Sequence, residues 1–161
     1  MILYIVRHAW AGQHGDPAWP DDSLRPLTKA GKKRFRRAVK RLVKRGCKAP
    51  AIATSPLVRC RETAELLAEA LDDVSVIDVE ALKPGATLSD VLAATQEHLG
   101  ADFVLCGHAP DVNDLVAGLI GAGPEAFDMD KGAMAAISFQ GPPTAGNGTL
   151  LWLVTAEMLG V

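Results

Sequence analysis

ILYIVRHA, residues 2–9, is an apolar, largely β-branched run that stops at an arginine and a histidine. A short continuous apolar run reads as a strand buried on both faces, the kind found inside a covered parallel sheet. Arg7-His8 then stand at its carboxyl end. Taken alone, that pair reads as a polar strand end. Whether it begins a site depends on which other polar residues the fold brings beside it.

Residues 9–27 carry Gly12, Gly15, Pro17, Pro20 and Pro26 and read as a long loop. Thr28 is placed to N-cap a helix reaching about Arg45, with Gly46 beyond its end. The spacing of Phe35, Ala38, Val39, Leu42 and Val43 gives that helix one apolar face. AIAT (51–54) predicts a second strand, and Ser55-Pro56 an N-cap with proline at the first helical position, opening a helix to about Leu71. VSVIDV (74–79) predicts a third strand, and Thr87 or Ser89 opens a helix ending near Gly100. FVLC (103–106) predicts a fourth strand, and a helix runs from about Asp111 to Leu119. Residues 133–139 and 149–154 predict two last strands around the turn-rich GPPTAGNG, antiparallel at least in part. Strand–helix alternation predicts an α/β fold, a three-layer α/β/α sandwich on a mostly parallel sheet of about six strands, in one domain of residues 1–161.

Composition narrows the class. Hydrophobic residues make up 48% of the 161, enough for a core and too many for a disordered chain. The net charge of -2 points to no partner. Cys47, Cys60 and Cys106 form neither a disulfide framework nor a zinc spacing, and predict reduced, packed thiols in a cytoplasmic protein. The first apolar run is too short for a signal peptide, and no segment is long enough to cross a bilayer, so no membrane partner is expected.

Ligands of open α/β sheets bind beyond the carboxyl ends of the strands. Arg7-His8 follow the first strand, Arg59 lies in the first turn of the helix after the second, and His108 follows the fourth. The amino end of the helix starting at Pro56 faces the same edge and favours an anion. Two arginines, two histidines and a helix terminus suit a tetrahedral oxyanion, and phosphate best of all, because guanidinium grips its oxygens in pairs. Neutral imidazole is also a nucleophile near neutral pH, able to form phosphohistidine that water then hydrolyses. His8 and His14 lack the carboxylate or cysteine that would complete a metal set. Neither metal nor cofactor is expected.

With these positions in view, VRHA, RPLTKAG, SPLVRCRETA and GHAP resemble, in order and spacing over residues 4–110, the histidine phosphatase superfamily, which includes the phosphoglycerate mutases. The short chain and the RPLT segment most resemble the small SixA-like phosphohistidine phosphatases. The resemblance implies His8 as nucleophile, with Arg7, Arg59 and His108 binding phosphate, and no metal. Three departures stand out. Ala9 replaces the usual glycine of the first motif, and its side chain is expected to hinder approach of the backbone to the phosphate. Cys60 and Glu62 replace an alanine and a glutamine, with Glu62 expected to face outward. No general acid stands out; Glu80, Asp16 and Asp22 are the candidates.

A missing acid favours cleavage of a phosphoramidate, whose leaving nitrogen protonates readily, over a phosphomonoester. Only 48 residues separate Arg59 from His108, too few for a large cap. The expected function is therefore a phosphatase acting on phosphohistidine in a protein, such as a histidine phosphotransfer domain. A small phosphate ester as substrate and a non-catalytic phosphate-binding module are the alternatives; a mutase, which must exclude water, is the least expected. Residues 29–48 hold 11 of the 17 Lys and Arg and no carboxylate. A solvated face comes first for that helix and an acidic protein partner second. Nucleic acid is not expected, since no aromatics interleave the charge. Oligomeric state is left open.

Overall fold

The computed structural model describes residues 1–123, 125–126 and 128–161. Six strands, β1 (Ile2–Arg7), β2 (Ala51–Thr54), β3 (Ser75–Asp78), β4 (Phe103–Gly107), β5 (Met134–Ser138) and β6 (Thr149–Val154), form one sheet in the order β3-β2-β4-β1-β5-β6. The first four are parallel to one another; β5 runs antiparallel to β1, and β6 antiparallel to β5. β1 and β4 lie at the centre, with Leu3, Ile5, Val6 and Val104 fully buried.

Four helices cover the sheet: α1 (Lys29–Lys44), α2 (Val58–Ala70), α3 (Leu88–Thr95) and α4 (Asp111–Ile120). On one face, Tyr4, Val6, Ile52 and Val104 pack against Phe35, Val39 and Leu42 of α1 and Ala64 and Leu67 of α2. On the other, Leu3, Ile5, Ala53 and Leu105 pack against Val91 of α3 and Val112, Leu115 and Leu119 of α4. The period-2 alternation of each buried strand thus feeds two separate half-cores, and the three predicted layers are present. The sheet is mixed, its parallel part ending at β1.

This winding fixes the place of a site. Neighbouring strands β1 and β4 are followed by α1 and α4, on opposite faces. A crevice opens at such a switch point, beyond the carboxyl ends of the two strands. The register Arg7↔Gly107 and the bond from His8 N–H to the Gly107 carbonyl (3.0 Å) bring the residues after both strands side by side.

Local signals are met at α1, where Thr28 Oγ1 accepts the Gly31 N–H (2.9 Å), and at α3, where Thr87 Oγ1 accepts the Asp90 N–H (3.2 Å). Gly31 is required by contact: a Cβ there would stand 2.9 Å from Thr28 Oγ1 and from Trp10 Cβ. The predicted start of α2 is corrected. It begins at Val58, after a Leu57 cap position without a side-chain bond. Ser55 N–H is held by the Cys106 carbonyl (3.0 Å), which keeps its backbone in line with the sheet, and its hydroxyl accepts the Leu57 N–H (3.4 Å) one residue ahead of the helix.

The 9–27 segment is a long loop, closed at its base. Ala11 and Leu27 form a bridge at its base, and a 3-10 turn spans Asp22–Leu24. Glu62, expected to face outward, instead fastens it: Oε2 accepts the Leu27 N–H (2.7 Å) and Oε1 pairs with Lys32 Nζ (2.5 Å). The three cysteines are free and buried. No helix among the described residues is long and apolar enough to cross a membrane.

Candidate active site

Arg7, His8, Arg59 and His108, 101 positions apart in sequence at the extremes, meet in the crevice between β1 and β4. The rings of His8 and His108 are 5.5 Å apart, edge to face at 62°. His8, Arg59 and His108 are 9%, 5% and 4% exposed.

His8 Nδ1 lies 2.8 Å from the Ala9 carbonyl. A carbonyl only accepts, so Nδ1 carries the hydrogen and Nε2 keeps its lone pair. Burial, with the charges of Arg59, Arg7 and Arg25 opposing protonation, lowers the His8 pKa to about 4. His8 is therefore a neutral ring with a defined basic nitrogen at neutral pH. His108 is lowered to about 3, by burial first and then by Arg59 and by His8. Its Nε2 is 2.9 Å from Ser55 Oγ and 3.4 Å from Cys60 Sγ, and these two contacts hold the ring.

Arg59 is buried and Arg7 half-buried, and both have donors to spare. Arg7 Nη1 donates to the Met129 carbonyl (2.5 Å), and Arg59 Nη1 to the Asp22 carbonyl (2.9 Å). Arg7 Nε and Arg59 Nε have no partner among the described residues. An unpaired buried donor costs free energy on the order of 1–3 kcal/mol, which a bound oxyanion would recover. Burial pulls the Arg59 pKa down from its ordinary value, yet guanidinium starts so far above neutrality that the charge stays.

Of the three acid candidates, only Asp22 reaches the cluster. Its Oδ1 accepts from Arg25 Nε (2.8 Å) and contacts His14 Nδ1 (3.0 Å), and its Oδ2 pairs with Arg59 Nη1 (3.1 Å). The Arg25 bond above all holds this carboxyl well below the usual carboxylate range. It is an ionised acceptor, not a proton donor. Asp16 is turned into its own loop, accepting the Ala18 N–H (2.9 Å). Glu80 is exposed and paired with Lys83 (2.5 Å).

Several residues here had no assigned role in the sequence. Arg25, of the RPLT segment, is buried, donates to the Gly12 carbonyl (2.7 Å) and adds positive potential at both histidines. Ser55, read as a helix cap, is the partner of His108. Thr63 Oγ1 accepts the Ala9 N–H (3.0 Å) and donates to the Arg59 carbonyl (2.7 Å), linking the segment after β1 to the start of α2. The arginine of RPLT and the threonine of RETA were the available signals. The concern over Ala9 is removed: its methyl packs in the α1–α2 half-core, and its N–H belongs to Thr63. Cys60 is fully buried, and burial pushes its thiol well above the ordinary value, which disfavours the reactive thiolate. Among the described residues no group of three or more His, Cys, Asp or Glu is arranged to hold a metal ion.

Comparison with known proteins agrees with this geometry. The profile of the histidine phosphatase superfamily (branch 1) matches residues 3–84. An uncharacterized protein of Picosynechococcus sp. is 37% identical over 117 residues, covering 71% of this chain and 70% of that one. Among solved structures, the protein histidine phosphatase SixA complexed with tungstate superposes with a TM-score of 0.83 at 27% identity, over 99% of both chains. The alpha-ribazole phosphatase of Shigella flexneri, with a TM-score of 0.75 and 18% identity over 97% of both chains, shares the fold. A crevice at the β1–β4 switch point, the match over the first half of the chain and the SixA-like fold lead to one assignment: the chain belongs to the histidine phosphatase superfamily, is SixA-like, and is a phosphatase.

Proposed function

We propose that the chain is a metal-independent phosphohistidine phosphatase that takes its phosphoryl group from a histidine on another protein. The observation that carries the reading is His8: neutral, with Nδ1–H tied to the Ala9 carbonyl and Nε2 free, beside two arginines whose buried Nε donors are unpaired among the described residues. In the proposed reaction Nε2 attacks phosphorus and the N–P bond of the substrate breaks. The substrate imidazole departs as a neutral ring, its proton taken up beforehand from solvent. Water then attacks the phosphohistidine at His8, inorganic phosphate leaves, and Nε2 regains its lone pair. Arg7, Arg59 and His108 hold the equatorial oxygens, where charge is densest in the transition state.

The substrate class follows from the acids. Asp22 is fixed as an anion and Glu80 is exposed, so neither is placed to protonate an alkoxide. Phosphohistidine needs no such donor. The 48 residues between Arg59 and His108 are taken up by α2, β3, α3 and β4, with no inserted cap, which suits a phosphate carried on a protein. The structural relative bound to tungstate, a tetrahedral oxyanion, is itself a protein histidine phosphatase.

The test is a competition between a phosphohistidine protein and a panel of phosphate esters, run with and without a chelator, on the native chain and His8→Ala. The expected outcome is preferred, chelator-insensitive cleavage of the phosphohistidine protein, with turnover and covalent phosphate labelling both lost in H8A. Efficient ester cleavage with phosphohistidine protein untouched would overturn the substrate; normal turnover by H8A would overturn the mechanism.

A further inference from the structure

Eleven cations between residues 29 and 48 raise a question that the phosphate site does not answer. Lys48 lies exposed beyond the helix, and the fold sorts the other ten. Lys32 pairs with Glu62, Arg36 with Glu69, Arg34 stacks 4.2 Å over Trp10, Arg41 donates to the Leu159 carbonyl, and Arg45 donates to the Arg41 carbonyl. Lys29, Lys33, Arg37, Lys40 and Lys44 are all exposed and have no carboxylate within salt-bridge distance among the described residues. Their spacings of 4, 4, 3 and 4 put them on one strip of the helix, within an arc of about 80° and over about 22 Å of its length.

Stability does not account for this strip. Like charges four residues apart repel on a helix. Cations in the first turn oppose the helix dipole, and α1 has no acidic residue in that turn. α1 reaches the core through Phe35, Ala38, Val39 and Leu42, none of them on the strip. The strip also begins at the site: Thr28, the cap before Lys29, donates its N–H to the Trp10 carbonyl (2.9 Å), two residues from His8. The loop leading into α1 exposes two large apolar side chains, Trp19 and Leu24, the second 54% exposed beside the Asp22 turn that holds Arg59.

We propose that the Lys29–Lys44 strip is the docking surface for the protein substrate, and that it selects a partner with an acidic face next to its phosphohistidine. This rests on the phosphohistidine reading and adds to it the charge of the partner. An acidic protein fits better than nucleic acid. The strip carries no aromatic to stack a base, and outside residues 29–48 the chain has 19 carboxylates against 6 bases, a field that repels a long polyanion. Exposed charges at an interface steer encounter and set salt dependence.

The experiment uses the full chain and three phosphohistidine substrates: the free amino acid and two peptides of the same design and length, one flanked by Asp and Glu, the other by Asn and Gln. Two quadruple variants are compared with the native protein, Lys33, Arg37, Lys40 and Lys44 all changed to Glu, or all to Gln should the reversed chain fold poorly. At low salt the acidic peptide is expected to show a KM about tenfold below that of the amide peptide. The gap should close at high salt and in both variants, while the rate on free phosphohistidine stays the same. Equal KM values in the native protein, or a preference that survives the substitutions, would overturn the docking surface and leave the phosphatase reading standing. No cleavage of any of the three would overturn the phosphohistidine reading. In that case binding of the unphosphorylated acidic peptide still decides the surface: loss in the variants supports it, unchanged binding overturns it. An oligonucleotide of equal charge that binds the strip more tightly than the peptide overturns it as well.

Discussion

The hydrogen bond from His8 Nδ1 to the Ala9 carbonyl leaves Nε2 as the attacking nitrogen of the proposed reaction, and burial among arginines disfavours its protonation. A free histidine would lose its activity as a nucleophile below about pH 6.5. Here the pKa near 4 predicts that the acidic limb of kcat/KM, which reports the free enzyme, lies near pH 4 to 5; a limb at about 6.5 would show His8 to be ordinarily solvated. Ser55 is the second residue with a measurable role. Its hydroxyl lies 2.9 Å from His108 Nε2 and accepts the Leu57 N–H (3.4 Å), which makes it a positioning residue for that ring. Ser55→Ala is expected to lower kcat about tenfold, the worth of one such hydrogen bond, with KM little changed and the His108-dependent limb of the pH profile shifted. Ser55→Thr, if it fits, should restore part of the rate. A variant with altered stability but an unchanged kcat and pH profile would make Ser55 merely structural. Asp22→Asn tests the acid directly: because this carboxyl is already an anion held by Arg25 and Arg59, its loss should not steepen the dependence of rate on leaving group.

At the scale of elements, the site depends on the closed loop before α1. Glu62 of α2 holds the Leu27 N–H and Lys32, so one carboxylate ties loop, α1 and α2 together. Its bond to the backbone is charged and partly buried, whereas the lysine bridge adds little. Glu62→Ala is expected to destabilise the chain by about 2 kcal/mol in urea denaturation, and to speed proteolytic nicking within 9–27 while β1 and β4 stay protected. A loss confined to nicking, without a change in the unfolding midpoint, would show that the loop closes independently of the core. α2 shows where local signals mislead. Ser-Pro before a helix is a sound cap signal, but the sheet takes Ser55 first, through the Cys106 carbonyl, and the helix begins three residues later without a side-chain cap.

At the scale of the molecule, the two buried histidines make folding sensitive to acid. Each stays neutral in the folded chain and binds a proton near pH 6.5 once unfolded, so protons favour the unfolded state. Their contribution is whole above about pH 6.5 and is lost as pH falls toward about 4 for His8 and about 3 for His108. Asp22, ionised in the fold, adds a further loss only where unfolded aspartate protonates, below about pH 4. Between about pH 7 and 5 the unfolding midpoint should therefore fall, and a His8→Asn, His108→Asn chain should lose less over the same interval. Equal losses in both would remove the histidines as the cause.

The sequence by itself determined the α/β class, the succession of elements, and the identities of Arg7, His8, Arg59 and His108 as the groups to watch. Apolar periodicity and the ends of strands are local properties, and they survive in a one-dimensional string. What only the tertiary structure decided is how those groups are poised. Which histidine nitrogen is free, which carboxylate is locked as an anion, where Arg25 and Ser55 point, and which cations on α1 are left unpaired all depend on contacts between residues far apart in the chain. Ser55 meets His108 across 53 positions and Arg59 meets Asp22 across 37. Those contacts exist because adjacent parallel strands deliver their carboxyl ends to one crevice, and no local pattern of residues records that meeting.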